Sequence, residues 1–138
     1  MVRTINITVK DRERILKLIK KEKEFGTGRN KEFLKDLEQE LNRANIVSSE
    51  NIPGDSITMN SKVLLKDLDL GKEAIYTLVY PEDADLNENK ISVLAPIGTA
   101  ILGFREGDVI NWKIPAGIAK LKVEKIIYQP EADGNYDL

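Results

Sequence analysis

The 138-residue chain contains no cysteine and no histidine. Without cysteine there is no disulfide framework and no thiolate nucleophile. Without histidine the chain lacks the side chain most used as a general base at neutral pH, and the commonest metal ligand. Ser-His-Asp and Cys-His catalysis are excluded, which leaves an enzyme only carboxylate or lysine chemistry. Aromatic residues are scarce, with a single tryptophan. No apolar run approaches the roughly 18 residues of a membrane helix. The N-terminus does not carry the pattern of a signal peptide. Together these absences lead us to expect a cytoplasmic protein that does not enter the membrane.

What is present is an ordinary folded composition, 41% hydrophobic and 32% charged. Neither value suits a disordered chain. The net charge of -2 hides an asymmetry. Residues 1–45 carry 12 Lys/Arg against 8 Asp/Glu, a balance of +4; the remainder carries 9 against 15, a balance of -6. A basic front and an acidic back suggest two modules with different partners.

Periodicity divides the chain at the same place. Residues 3–9 alternate weakly and read as extended, with Thr8 or Asp11 able to cap the helix that follows. A helix is expected from about Lys10 to Glu24, its apolar stripe made by Ile15, Leu16, Leu18 and Ile19. Phe25-Gly26-Thr27-Gly28-Arg29-Asn30 is a loop signal. A second helix is expected from Lys31 to Asn45, with Leu34, Leu37, Leu41 and Ala44 on a heptad-like seam. Two helices joined so tightly make an antiparallel hairpin covering residues 1–46. Residues 47–61 read as a linker, with a turn at Pro53-Gly54-Asp55.

From Lys62 the period becomes two. Strands are expected at Lys62–Lys66, Glu73–Val79, Lys90–Val93, Val109–Ile114 and Leu121–Tyr128. Pro96 to Leu102 reads as one short helix, because proline suits a first helical position. The fold class is therefore α+β: a short helical hairpin, then an antiparallel-rich sheet with one short helix over residues 62–138. Trp112 lies mid-strand and reads as core, and the polar tail could dock through Tyr136 and Leu138.

Three stretches invite chemical readings. Asp83-Ala84-Asp85-Leu86-Asn87-Glu88-Asn89 spaces oxygen ligands like a calcium loop, but Glu88 stands where that loop needs glycine and Leu94 where it needs a bidentate glutamate. It reads as a solvated acidic turn. Glu22, Glu24 and Glu32 flank the hairpin tip and could hold magnesium, but interleaved cations compete for them. Lys17, Lys20, Lys21, Lys23, Arg29 and Lys31 could form a basic strip toward the tip, suited to a phosphate backbone or an acidic channel, or could simply solvate the helices. Gly98, Gly103 and Gly107 match no phosphate-binding loop and read as structural punctuation. We expect no catalytic residue, no metal and no cofactor.

The segment Ser92-Val93-Leu94-Ala95-Pro96-Ile97-Gly98-Thr99-Ala100-Ile101-Leu102-Gly103-Phe104-Arg105-Glu106-Gly107-Asp108 resembles the C-terminal signature of the GreA/GreB family of bacterial transcription factors. Thr58–Val63, Thr77–Pro81 and Tyr128–Tyr136 resemble the Rnk-type branch of that family. The resemblance covers essentially residues 58–138; the N-terminal half matches in layout.

The resemblance implies an N-terminal coiled coil, an FKBP-like C-terminal domain and binding to RNA polymerase near its secondary channel. It places the polymerase contact on Leu94, Ala95, Pro96, Ile97 and Gly98. Family members that stimulate transcript cleavage carry acids at a long coiled-coil tip, whereas Phe25–Asn30 contains none. The expected activity is thus non-enzymatic: a monomer that competes with Gre factors without stimulating cleavage, and lies near nucleic acid (DNA included) only through the transcription complex. The alternatives are a cleavage stimulator using Glu22, Glu24 or Glu32, and a peptidyl-prolyl isomerase drawing on Tyr76, Tyr80, Phe104, Trp112 and Tyr128.

Overall fold

The structure is a computed structural model and describes residues 5–26, 31–114 and 117–134. Helix α1 (Val9–Phe25) begins where Thr8 accepts a hydrogen bond from the Asp11 amide, at 3.2 Å. That bond satisfies one of the amides left free in a first turn. Helix α2 (Lys31–Asn42) buries Leu34, Leu37 and Leu41. It stops three residues before the expected Asn45, and the chain turns extended at once. Arg12 donates to the Leu41 carbonyl at 2.9 Å, and Lys23 to Glu38 at 2.9 Å. The two helices therefore run antiparallel, as expected.

The weak alternation at the N-terminus yields only β1 (Asn6–Ile7), which pairs in parallel with β2 (Asn45–Ile46). Sequence periodicity gave no hint of β2, because two residues are too few to show a period.

The remaining strands are β3 (Lys62–Asp67), β4 (Glu73–Val79), β5 (Lys90–Ser92), β6 (Val109–Ile114) and β7 (Gly117–Tyr128), with α3 (Pro96–Ile101) between β5 and β6. They form one sheet in the order β5-β4-β3-β7-β6, antiparallel throughout except for the β4–β5 pair. β7 starts four residues earlier than expected. Gly117 opens it at φ +137, a backbone conformation that residues with a Cβ rarely adopt.

Two register shifts mark the β3–β7 pairing. Because of the one between Leu64 and Leu65, which leaves Glu124 extra, Lys122 and Lys125, three residues apart, both lie on the side of the sheet opposite the core.

The stretch read as a linker is packed. Ile52, Ser56, Ile57, Thr58, Met59 and Ser61 are all buried. Ile57 exchanges backbone hydrogen bonds with Phe104 at 2.8 Å and Gly103 at 2.9 Å. The tail closes over this stretch: Gln129 donates to the Pro53 and Ser56 carbonyls at 2.7 and 2.6 Å, and Glu131 accepts from Thr58 at 2.6 Å. Tyr136 and Leu138 lie outside the described residues.

One continuous core results. Ile15, Ile19, Leu34, Leu37 and Leu41 of the hairpin join Ile57, Met59, Leu78, Ile101 and Leu102. A polar contact pins the same junction. The Tyr80 hydroxyl donates to buried Asp11 at 2.7 Å, Arg14 lies 3.6 Å from the centre of the Tyr80 ring, and Arg14 also pairs with Glu82. Burial, reinforced by the Asp11 carboxylate, raises the Tyr80 hydroxyl far above its ordinary value.

Candidate protein-docking site

The five residues expected to touch a partner form the turn from β5 into α3. The Val93 amide still donates to the Val79 carbonyl of β4 at 2.9 Å, and beyond it the Leu94 amide donates to Ser92 Oγ at 3.0 Å. The Ala95 amide donates to the Ser92 carbonyl at 3.0 Å. Pro96 takes the first helical position, as its ring geometry favours. Thr99 ties the turn off from both ends: its amide donates to the Ala95 carbonyl at 2.9 Å, and its hydroxyl to the Pro96 carbonyl at 2.8 Å.

Gly98 is required by packing. A Cβ at that position would overlap the Ser92 carbonyl oxygen. Gly103 is required twice over: its φ is +87, and a Cβ there would stand 2.6 Å from Ile5. The helix is thus pressed against Ser92 of the strand it came from, and the turn that follows it against Ile5. This confirms the reading of both glycines as structural.

Gly98 itself is buried, while Leu94, Ala95, Pro96 and Ile97 remain half-buried. Leu94 and Ile97 pack against the core on one side. Ile97 also borders a cavity of about 340 Å³, whose other walls include Leu65, Tyr76, Trp112 and Leu121. Asp67, Lys72 and Glu73 rim it. The turn therefore presents a small apolar surface beside an apolar hollow with a charged border, the composition of a protein interface centre and its rim.

The aromatics named for an isomerase do not converge on this cavity. Only Tyr76 and Trp112 line it; Tyr80 and Phe104 are buried in the core, and Tyr128 borders a separate pocket with Lys62 and Lys90. Trp112 is half-buried instead of fully interior, and its indole nitrogen is buried with no hydrogen-bond partner among the described residues.

The basic strip is only partly brought together. Lys17, Lys20 and Lys21 are exposed and, at helical spacing, share one side of α1. Lys23 is engaged by Glu38 on α2. Arg29 lies outside the described residues, and nothing is described of the Lys31 side chain. Glu22, Glu24 and Glu32 are exposed, and no group of three His, Cys, Asp or Glu able to hold a metal occurs among the described residues. Around the acidic stretch, Pro81–Asp83 and Leu86–Glu88 form short 3-10 turns, with Asp85 capping the second through the Asn87 amide at 3.0 Å. Phe25, which the sequence marked only as part of a loop, is 81% exposed at the end of α1. No helix of the described residues is long and apolar enough to cross a membrane.

Comparison with known proteins bears on the same segments. Residues 52–128 match the family model of the GreA/GreB transcription elongation factor C-terminus, and residues 3–47 match that of the Rnk N-terminus. The regulator of nucleoside diphosphate kinase of Escherichia coli (strain K12) is 46% identical over 101 residues, which is 72% of this chain and 74% of that protein. Transcription elongation factor GreA of Chloroherpeton thalassium is 42% identical over 90 residues, 65% of this chain and 57% of that protein. Among solved structures, a GreA/GreB elongation factor from Nitrosomonas europaea is 38% identical and covers 91% of this chain and all of its own, with a TM-score of 0.74.

Proposed function

The chain belongs to the GreA/GreB family, with an N-terminus of the Rnk type, and from that premise we propose that it is a cytoplasmic, non-enzymatic regulator that docks on RNA polymerase near the secondary channel. The observation that carries this reading is the β5–α3 turn. Leu94, Ala95, Pro96 and Ile97 are held half-exposed by a framework that fixes Gly98 against Ser92. An apolar side chain of the partner would enter the hollow between Ile97, Tyr76 and Trp112. The hairpin then lies at the channel mouth. α1 has 17 residues, so at 1.5 Å per residue it spans only about 25 Å.

Occupying the docking site without delivering acids makes this protein a competitor. Transcript cleavage calls for carboxylates that hold a second magnesium ion and activate water. Glu22, Glu24 and Glu32 are solvated on the hairpin flanks and offer no such site.

Two measurements test the reading. Affinity for core RNA polymerase should fall in the double variant Pro96→Ala/Ile97→Asp, because losing an apolar anchor at an interface centre costs about 2 kcal/mol or more. Circular dichroism checks that the variant stays folded; unchanged affinity in the folded variant removes the site. In backtracked elongation complexes the protein should stimulate no cleavage, and should inhibit a Gre factor in a way that excess Gre factor reverses. Cleavage that disappears on changing Glu22, Glu24 and Glu32 to Gln would instead establish a cleavage stimulator.

A further inference from the structure

The half of the chain beyond residue 45 carries nine Lys/Arg and a balance of -6. Six of those nine cations stand on one surface. Lys62 and Lys66 alternate along β3 with buried Val63 and Leu65, so they face away from the core. Lys90 on β5 and Lys62 on β3 flank Thr77 on β4 in direct cross-strand register. On β7, Lys122 stands opposite Lys66 and Lys125 opposite Leu64, while Lys120 faces Asn111 of β6 on the same side.

The register shift between Leu64 and Leu65 gathers this set. Without the extra residue at Glu124, Lys125 would point into the core side that Val123 occupies.

Acids border this face: Asp83 and Asp85 lie near Lys90, and Glu106 accepts from the Ile126 amide beside Lys125. Glu73 stands opposite Lys66, Glu124 lies 3.9 Å from Lys122, and Glu88 pairs with Lys90 at 3.0 Å. Lys62, Lys66, Lys120 and Lys125 make no ion pair among the described residues. The helix α3 contacts β5 and β6 and shares its cavity with inward-facing Leu65, Tyr76 and Leu121, so it lies on the other side of the sheet. At one corner, Lys62, Thr77, Val79, Lys90 and Tyr128 border a pocket of about 360 Å³ that the acidic Asp83 also lines.

We infer that this outer face of the sheet binds the phosphate backbone of nucleic acid, without regard to sequence. The four lysines without an ion pair among the described residues, Lys62, Lys66, Lys120 and Lys125, point to a polyanion. Adjacent strands lie about 4.8 Å apart, so Lys90 and Lys62 are roughly 10 Å apart across the sheet. Lys120 and Lys125 are separated by about 16 Å along β7 at 3.3 Å per residue. An array of that size spans several phosphates. All six cations are lysines, which act as point charges and lack the planar fork that reads guanine edges. Tyr128 is the one aromatic in the row, so stacking along a run of bases is not provided for. The face thus positions a nucleic-acid strand and reads no sequence. It lies opposite the side that carries the docking turn, so the two surfaces can be occupied together.

The test uses the full chain without polymerase, so that its outcome is independent of the docking reading. Fluorescence anisotropy would measure binding to a labelled 20-base-pair DNA duplex and to a single-stranded RNA of the same length, between about 50 and 200 mM salt. Binding to either is expected, with a linear fall of log affinity against log salt. The triple variant Lys62→Gln/Lys66→Gln/Lys125→Gln should lower that slope by about 0.9 per lysine on duplex DNA, or about 0.7 on single strands. Replacing the same three by Arg should restore it.

A second triple variant, Lys17→Gln/Lys20→Gln/Lys21→Gln, separates the sheet from the hairpin. The inference is overturned by no measurable binding, or by binding lost in the hairpin variant and kept in the sheet variant. It is also overturned if polyglutamate of matched charge binds as tightly and responds equally to the sheet variant, since the face would then be a contact for acidic proteins.

Discussion

Along α1, Lys17, Lys20 and Lys21 stand exposed just before Glu22 and Glu24, and Lys23 is drawn across to Glu38 on α2. Along β3 and β7, by contrast, Lys62, Lys66, Lys122 and Lys125 stand on one side of the sheet, and of these Lys122 alone has a carboxylate within 4 Å, Glu124, among the described residues. The segment with the positive balance mixes its charges locally. The segment with the negative balance gathers its lysines across strands. A tally by sequence segment therefore hides a cluster of lysines within an acidic half, because a surface is assembled across strands.

A second contrast runs the other way. The two halves differ in period and charge, yet they share one core, so the composition boundary near residue 46 is not a mechanical boundary. The single tryptophan, Trp112, lies in β6 and reports on the sheet half. Leu37→Ala removes a fully buried hairpin side chain, which typically costs about 2–5 kcal/mol. If the core is shared, Trp112 fluorescence and helical circular dichroism should lose stability together in urea, with coincident midpoints. A hairpin that melts first while the Trp112 midpoint stays in place would show two independent domains.

The Tyr80–Asp11 contact sharpens the same point with a smaller effect. Tyr80→Phe leaves the buried Asp11 carboxylate without its 2.7 Å donor, a loss of about 1.5–3 kcal/mol for a bond to a charged group. The pH dependence has a definite sign. The folded state holds the Tyr80 proton more tightly than the unfolded chain does, so this stabilisation is complete below the ordinary tyrosine value near pH 10 and is lost as pH rises beyond it. Urea midpoints from pH 7 to 11 should show that alkaline loss in the parent and a weaker one in the Phe variant. Equal slopes would mean that other groups set the alkaline limit.

How much of this was legible in the sequence depends on the range of the signal. The α1 and α2 stripes, the β4 and β6 bounds and the α3 turn follow from local periodicity and from Pro96, and they match closely. The buried run from Ile52 to Ser61 did not show, because its turn-forming residues mask a stretch buried by the distant Phe104 and Gln129. The lysine face was invisible for a related reason. Strict alternation puts Lys122 and Lys125 on opposite sides, and only the pairing with β3 reveals the extra residue between them. For the candidate docking turn, the residues were readable, whereas the hollow beside Ile97 depends on Tyr76 and Trp112 arriving from other strands.

The smallest effect concerns the hairpin cations, and it separates steering from solvation. Lys17, Lys20 and Lys21 share a side and carry no ion pair among the described residues, whereas Lys23 is held by Glu38. If the hairpin approaches an acidic channel, its long-range attraction speeds encounter more than it tightens the bound state. Exposed charges act over a Debye length of about 10 Å at 0.1 M salt, so the attraction weakens as salt rises. The association rate with polymerase, followed by stopped-flow at several salt concentrations, should fall with salt in the parent. In Lys17→Gln/Lys20→Gln/Lys21→Gln it should start lower and flatten, by a factor near the bottom of the roughly 10–1000-fold range of steered association. Lys23→Gln should barely change it, since that charge is already answered by Glu38. Parallel salt curves for the parent and the triple variant would reduce the three lysines to a solvated helix face and leave the sheet as the charged surface of consequence.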